Sequence, residues 1–277
     1  MRVRKQLITI AVLVLLSGLL LVMLFPLLML GINAIKSEQE FYAGGPFGLP
    51  TAFHWEPIQT VATKLKFLQR LWNSATISIP TAIIAVTLSL LNGYALGIGR
   101  IRGRTFFLLF FMIAIMLPQE SLVYPLYYMF RVVKLYNTKL AVILSLTAAF
   151  LSFGTYLLAT VMGEFPKDFV EAAELDGAGK LYVLFKIILP LIMPTLSVLF
   201  VFFFIWSWND FFLSMIFLIS EKVQTLPLAV LQMRGQYTTN INLQSAAGLI
   251  LSLPCIVFFL IFQRTLTQGV TASGLKG

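Results

Sequence analysis

Apolar and polar positions fall in long blocks along this chain. Residues 6–35, 71–99, 105–119, 140–163, 187–209 and 235–263 contain no Asp, Glu, Lys or Arg. A helix needs about 20 mostly apolar residues to cross the hydrocarbon of a bilayer. The blocks therefore predict six transmembrane helices, near 8–31, 73–98, 105–130, 139–162, 196–219 and 246–266. Pro118 and Glu120 in the third predict a bend or local break. The fifth contains Asp210 in mid-span. The expected fold is an all-α integral membrane protein. It divides into a span and outer loop over residues 1–68, a transmembrane domain over 69–266 and a tail over 267–277.

Composition agrees. Of 277 residues, 59% are hydrophobic and 11% charged, against about 45–50% and 25% in soluble domains. The net charge of +9 does not point to nucleic acid, because the basic residues flank apolar runs as orientation signals do. Arg2, Arg4 and Lys5 precede the first span, and Arg100, Arg102 and Arg104 crowd the link between the second and third. Both places are expected in the cytoplasm, and with six spans so is the C-terminus. The run from Leu7 to Ile32 exceeds a signal-peptide core of about 7–15 residues, so it is read as an uncleaved span. Cys255 is the single cysteine and His54 the single histidine, which excludes an intrachain disulfide and a cysteine metal cluster. No nucleophile–base or metal set appears, so an enzyme is not expected.

The loops expected outside differ in character. Phe41–Pro50 holds Gly44, Gly45, Gly48, Pro46 and Pro50, an irregular turn composition. Lys64 to Trp72 suits a short amphipathic surface helix. Residues 220–245 carry Gln224, Gln232, Arg234, Gln236, Tyr237, Asn240, Asn242 and Gln244, too polar a set for lipid.

One island on the inner side stands apart. Glu164, Asp168, Glu171, Glu174 and Asp176 are five of the eleven acidic residues. Asp168 followed by Glu171 forms the aspartate version of a capping box. Phe169, Ala172 and Ala173 share one helical face, and Gly177 and Gly179 stop the helix. The small-residue face suits docking in a partner's groove. The alternative is a helix lying on lipid, but such helices are usually basic on the polar face.

The spacing of this island resembles the EAA motif of ABC importer permeases. Glu171-Ala172-Ala173, three residues, Gly177, nine residues, Ile187, one residue and Leu189-Pro190 fit every position of that pattern. The wider chain resembles the MalG-type permeases of carbohydrate importers. Asn73-Ser74, Leu135-Tyr136-Asn137-Thr138, Trp208-Asn209-Asp210-Phe211 and Thr225-Leu226-Pro227-Leu228 carry that likeness, with the tail Ser273–Gly277 close to the family ending AGAVKG. A departure is the missing proline shortly after Trp208–Phe211.

The resemblance implies a type I permease core of the MetI-like kind. It implies a coupling helix near 169–177, in which Glu171, Ala172, Ala173, Asp176 and Gly177 meet a cytoplasmic ATPase. It implies as partners a homologous MalF-like permease, two ATPase subunits or one homodimer, and an extracytoplasmic solute-binding protein that Gln232, Arg234, Tyr237 and Asn240 would contact. It implies a sugar substrate and a prokaryotic cell membrane.

Trp206, Trp208, Asn209 and Asp210 are candidates either to line the pathway, aromatic faces and polar groups both suiting a sugar, or to pack against the partner permease as a gate. Gly93 and Gly97 form a GxxxG pair for helix packing. Gly177-Ala178-Gly179-Lys180 is not a phosphate loop, since Glu174 and Leu181 stand where that pattern needs Gly and Ser or Thr. No cofactor is expected on this chain, and ATP with Mg belongs to the partner subunits. The rival reading, an ion-coupled secondary transporter acting alone, needs intramembrane carboxylates and a repeat. Only Asp210 and Glu120 qualify, and no repeat is evident.

Overall fold

The computed structural model describes residues 2–99, 101–165, 167–236 and 240–274. The order is α1 (Arg2–Ala34), α2 (Glu38–Gly44), α3 (Glu56–Lys64), α4 (Phe67–Gly97), α5 (Arg104–Met116), α6 (Gln119–Val132), α7 (Lys139–Gly163) and α8 (Lys167–Leu175). Then α9 (Lys180–Tyr182) runs through a π-helical segment, Val183–Ile188, into α10 (Leu189–Trp208). Last come α11 (Phe212–Phe217), α12 (Leu226–Gln236) and α13 (Ile241–Gly274). Among the described residues, five helices are long and apolar enough to cross a membrane, and six if α5 and α6 form one bent span.

That bend measures 97°. Leu117 is extended, ψ 124°, and Pro118 caps α6. A residue before proline is pushed out of the helical region, so the break follows from one residue pair.

The fifth span departs from expectation. It runs Lys180–Trp208, not 196–219. Pro190 falls at the start of α10, where a missing N–H is tolerated. Its ring would press on the carbonyl four residues back, and the wider π turn lies over that stretch. At the other end α10 stops at Trp208, with Asn209 as its cap. Asp210 is therefore outside the span helix. The helix expected over Lys64–Trp72 is also displaced. Lys66 adopts φ +48°, which separates α3 from α4.

Two compact units are present. One comprises Met1–Phe67 with Ala229–Ile256, the other Leu68–Leu228 with Val257–Gly277. In the second, α7 is the central helix. Gly93 and Gly97 of α4 bring it close: a Cβ at Gly93 would lie 2.6 Å from Leu158 Cβ, and one at Gly97 2.8 Å from Met162 Cβ. The GxxxG pair thus packs helices, as small residues in spans do. Phe150 of α7 stacks on Phe203 of α10 at 5.1 Å, and Phe204 stacks on Phe258 of α13 at 3.8 Å.

In the first unit, the end of α1 is closed by side chains. Asn242 Nδ2 donates to the carbonyls of Asn33, Lys36 and Ser37 at 3.1, 2.9 and 3.4 Å. Helix ends leave such carbonyls without partners, and Asn242, itself buried, supplies the donor. Lys36 is buried too and donates to Asn33 Oδ1 at 2.9 Å and to the carbonyls of Gly45 and Pro46 at 3.2 and 3.4 Å. Burial pushes its ammonium pKa down, with Glu40 pulling the other way. Part of the stretch read as irregular turn is helical: Ser37 and Glu40 form a capping box on α2.

Candidate functional site

The EAA residues sit on α8 and the turn after it. Leu175 ends the helix. Ala178 N–H then donates to Ala173 O at 2.9 Å, and Asp176 N–H to Ala172 O at 3.1 Å. Gly177 between them is at φ +79°. This six-to-one bond around a left-handed residue is a Schellman stop, and glycine adopts that conformation without steric cost. Nothing lies within 4 Å of a Cβ built on Gly177. Glu171, Ala172, Asp176 and Gly177 are exposed, and Leu175 is 88% exposed. Ala173 is buried, so the two alanines divide, one toward this chain and one toward solvent. The side chains of Asp168 and Phe169 lie outside the described residues.

Beneath α8 is a cavity of about 450 Å³ lined by Tyr94, Arg104, Met162, Phe165, Val170 and Lys180. Tyr94 Oη donates to Lys180 O at 3.1 Å. The ends of α4 and α7, the first residue of α9 and α8 thus border one space.

Of the four residues around the end of α10, Trp206 and Asp210 line one cavity of about 690 Å³ with Gln119, Phe150 and Phe153. Trp208 is buried and stacks on Phe204 at 5.5 Å, while Asn209 donates back to Ile205 O at 2.9 Å. The Asp210 carboxylate accepts from Leu213 N–H at 3.4 Å and from Ser214 N–H and Oγ at 3.1 and 3.0 Å. It caps the first turn of α11 while facing the cavity. The cavity wall is mostly apolar, and Phe150, Phe153 and Phe202 surround the Trp206 ring. Glu120 follows the break at Pro118. It is exposed, and Arg131 donates to Tyr127 Oη at 3.3 Å.

Two other short stretches singled out in the sequence, Asn73-Ser74 and Leu135–Thr138, converge on one segment, Ser220–Leu226. Asn73 Nδ2 donates to Lys222 O at 2.8 Å and Gln224 O at 2.9 Å. Ser74 Oγ accepts Leu226 N–H at 2.9 Å. Arg70 donates to Gln224 Oε1. Asn137, in the left-handed region at φ +61°, donates to Ser220 Oγ at 2.6 Å and accepts Ser220 N–H at 2.9 Å. Gln224, Thr225 and Leu226 are buried. The segment is a strap, tied at both sides by the starts of α4 and α7.

The polar loop 220–245 is therefore not uniform. Gln224 and Asn242 are spent inside the chain. Asn240 Oδ1 accepts Leu243 N–H at 3.0 Å and caps α13. Gln232 is exposed on α12. Tyr237 and the side chain of Arg234 lie outside the described residues, as do residues 275–277 of the tail. Sequence reasoning missed Lys36, Asn33 and Arg70. The available signal was their position within a turn of a helix end, where polar groups find backbone partners.

With this geometry in hand, comparisons place the chain. Residues 44–272 match the family described as "Binding-protein-dependent transport system inner membrane component". The inner membrane ABC transporter permease protein YcjP of Escherichia coli (strain K12) is 28% identical over 93% of each chain. The arabinooligosaccharides transport system permease protein AraQ of Halalkalibacterium halodurans is 33% identical over 74% of this chain and 73% of its own. Among solved structures, a bacterial ABC transporter involved in import of the acidic polysaccharide alginate aligns with TM-score 0.76 and 23% identity, over 94% of this chain and 96% of that one. This chain belongs to the family of binding-protein-dependent transport system inner membrane components, and it is a multi-pass permease of the ABC importer kind.

Proposed function

We propose that the chain forms one half of the translocation pore of an ATP-driven carbohydrate importer in a prokaryotic cell membrane, with both termini in the cytoplasm. A homologous MalF-like permease completes the pore. Two ATPase subunits, or one homodimer, bind ATP and Mg and dock on α8. The observation that carries this reading is the short helix α8, whose Glu171-Ala172-Ala173 stretch ends in the left-handed Gly177. Its exposed surface is small and acidic, suited to a partner's cleft. Sugar as the substrate class rests on relatives such as the arabinooligosaccharide permease.

In this reading the chain performs no hydrolysis. ATP-driven closure of the ATPases displaces α8, and the displacement passes through the Gly179 turn and the π-helical segment into α10. Trp206 and Asp210, at the far end of α10 on the cavity wall, line the pathway or act as its gate. ATP binding biases a two-state pore, as any ligand with differential affinity does. A solute-binding protein delivers sugar at the opposite face, where Gln232, Arg234, Tyr237 and Asn240 are candidate contacts.

The direct test is Gly177→Glu in the assembled importer. The added side chain meets open space in this chain, so it acts on the docking surface and on the turn. Co-purification of the ATPase and sugar uptake are both expected to fall steeply. Normal co-purification with coupled uptake would overturn the docking role.

A further inference from the structure

We propose that the loop from Phe41 to Trp55 is a bilayer anchor, seating its aromatic and aliphatic side chains in the interfacial layer of the leaflet at the C-terminal end of α1. The argument begins with length. The apolar part of α1, Lys5–Ala34, is 30 residues, about 45 Å at 1.5 Å per residue. The hydrocarbon is only about 30 Å thick. Measured from the basic N-terminal end, the hydrocarbon is exhausted roughly two thirds of the way along the helix. Phe25 stands near that level, nine residues short of Ala34.

The loop folds back to it. Phe47 stacks on Phe25 with ring centroids 6.2 Å apart and planes at 26°. Phe25 lies on a span whose most apolar window has no residue buried within this chain, so its ring stands on the outer surface of the chain at that level. A ring stacked on it, and itself 71% exposed, stands at the same level. Tyr42, Leu49, Phe53 and Trp55 of the same loop are exposed too, and Phe53 and Trp55 pair at 6.0 Å. Aromatic side chains of this kind collect at the headgroup level of membranes.

The loop is held ready for that position. Glu40 accepts Ser37 N–H, Thr51 N–H, Thr51 Oγ and Ala52 N–H, closing the two ends together, while Lys36 ties the carbonyls of Gly45 and Pro46 from inside. Gly48 permits the tight fold, since a Cβ there would lie 2.7 Å from Gly44 O. A loop ordered in advance loses little freedom when its side chains insert. The charges in and beside the loop are mainly acidic, Glu38, Glu40 and Glu56, and Lys36 is buried. Anchoring is therefore apolar and independent of anionic lipid.

The single cysteine makes the test clean. In a Cys255→Ala background, cysteine is introduced singly at Phe47, Leu49 and Phe53, with Glu38 as control, and spin-labelled in the assembled importer in phosphatidylcholine nanodiscs. Collision with oxygen, which concentrates in lipid, is compared with collision with an aqueous nickel chelate. Labels at Phe47 and Phe53 are expected to favour oxygen several-fold over the Glu38 label, equally with and without anionic lipid. Nickel-accessible labels at both positions overturn the proposal. So does shielding from both reagents, with or without the solute-binding protein, which would make the loop a contact with another protein of the importer. The outcome is independent of the solute carried.

Discussion

The strap Ser220–Leu226 and the helix α8 are both short segments between long helices, yet they use their polar groups in opposite ways. The strap turns them inward. Its Lys222, Gln224 and Leu226 backbone groups are taken by Asn73 and Ser74, and Gln224 itself is buried. The helix α8 satisfies its own end with the Ala178–Ala173 bond and leaves Asp176 and Leu175 exposed. The difference separates a segment that holds this chain together from one shaped to meet another. A segment completed by its own fold has little left to offer a partner. A segment that needs only its local backbone bonds can present its whole outer face.

That contrast can be broken most severely at Asn73. Asn73→Ala strips donors from two carbonyls in a buried setting, and a buried unsatisfied group costs about 1–3 kcal/mol. The purified permease should unfold at clearly lower temperature, with uptake falling in parallel; an unchanged unfolding temperature would show that the strap is not self-tied.

A local loss is expected in the outer loop, the other self-tied region. The Thr51 hydroxyl, with the Ser37, Thr51 and Ala52 amides, holds the Glu40 carboxyl at about 2. A depressed carboxyl stabilises the fold above its unfolded value and loses that contribution as pH falls through the folded one. Protease cleavage within Phe41–Trp55 should therefore rise between roughly pH 4.5 and 2, and Glu40→Gln should cleave readily at neutral pH with no further rise over that window.

The smallest structural effect belongs to α8. Leu175→Ser changes an exposed side chain, and such surface changes stay within about 0.5 kcal/mol. Its unfolding temperature should match the parent while ATPase co-purification weakens. Equal loss of both would erase the contrast.

The same contrast explains what could be read from residue order. The stop of the island at Glu171–Gly177 was legible because it is local, a glycine at the left-handed position; its start and face were not, since α8 begins at Lys167, before Asp168, and Ala172 is exposed while Ala173 is buried. The spans were legible because charge is absent over whole helix lengths. The bend at Pro118 followed from the residue pair itself. The end of α10 was not legible. No Pro or Gly marks Trp208–Phe211, and Asp210 closes one helix run only by capping the next. Lys36 and Asn242 were hidden for a different reason. The Lys36 contacts close a loop of nine or ten residues that no helical or strand period reveals, and Asn242 meets carbonyls more than two hundred residues away, so no short window of sequence contains that contact. Gln224 misled for the same cause: a polar letter does not say whether water or a distant backbone receives it.

The π-helical turn at Val183–Ile188 amounts to one residue more than the α-helical pitch requires. Each residue advances a helix by about 100°, so that surplus fixes the rotational phase between Lys180 and the face that α10 turns to its neighbours. The turn works as a keyed joint. Shortening it by one residue would leave both flanking helices intact as helices, yet aim everything upstream, including the approach to α8, in another direction.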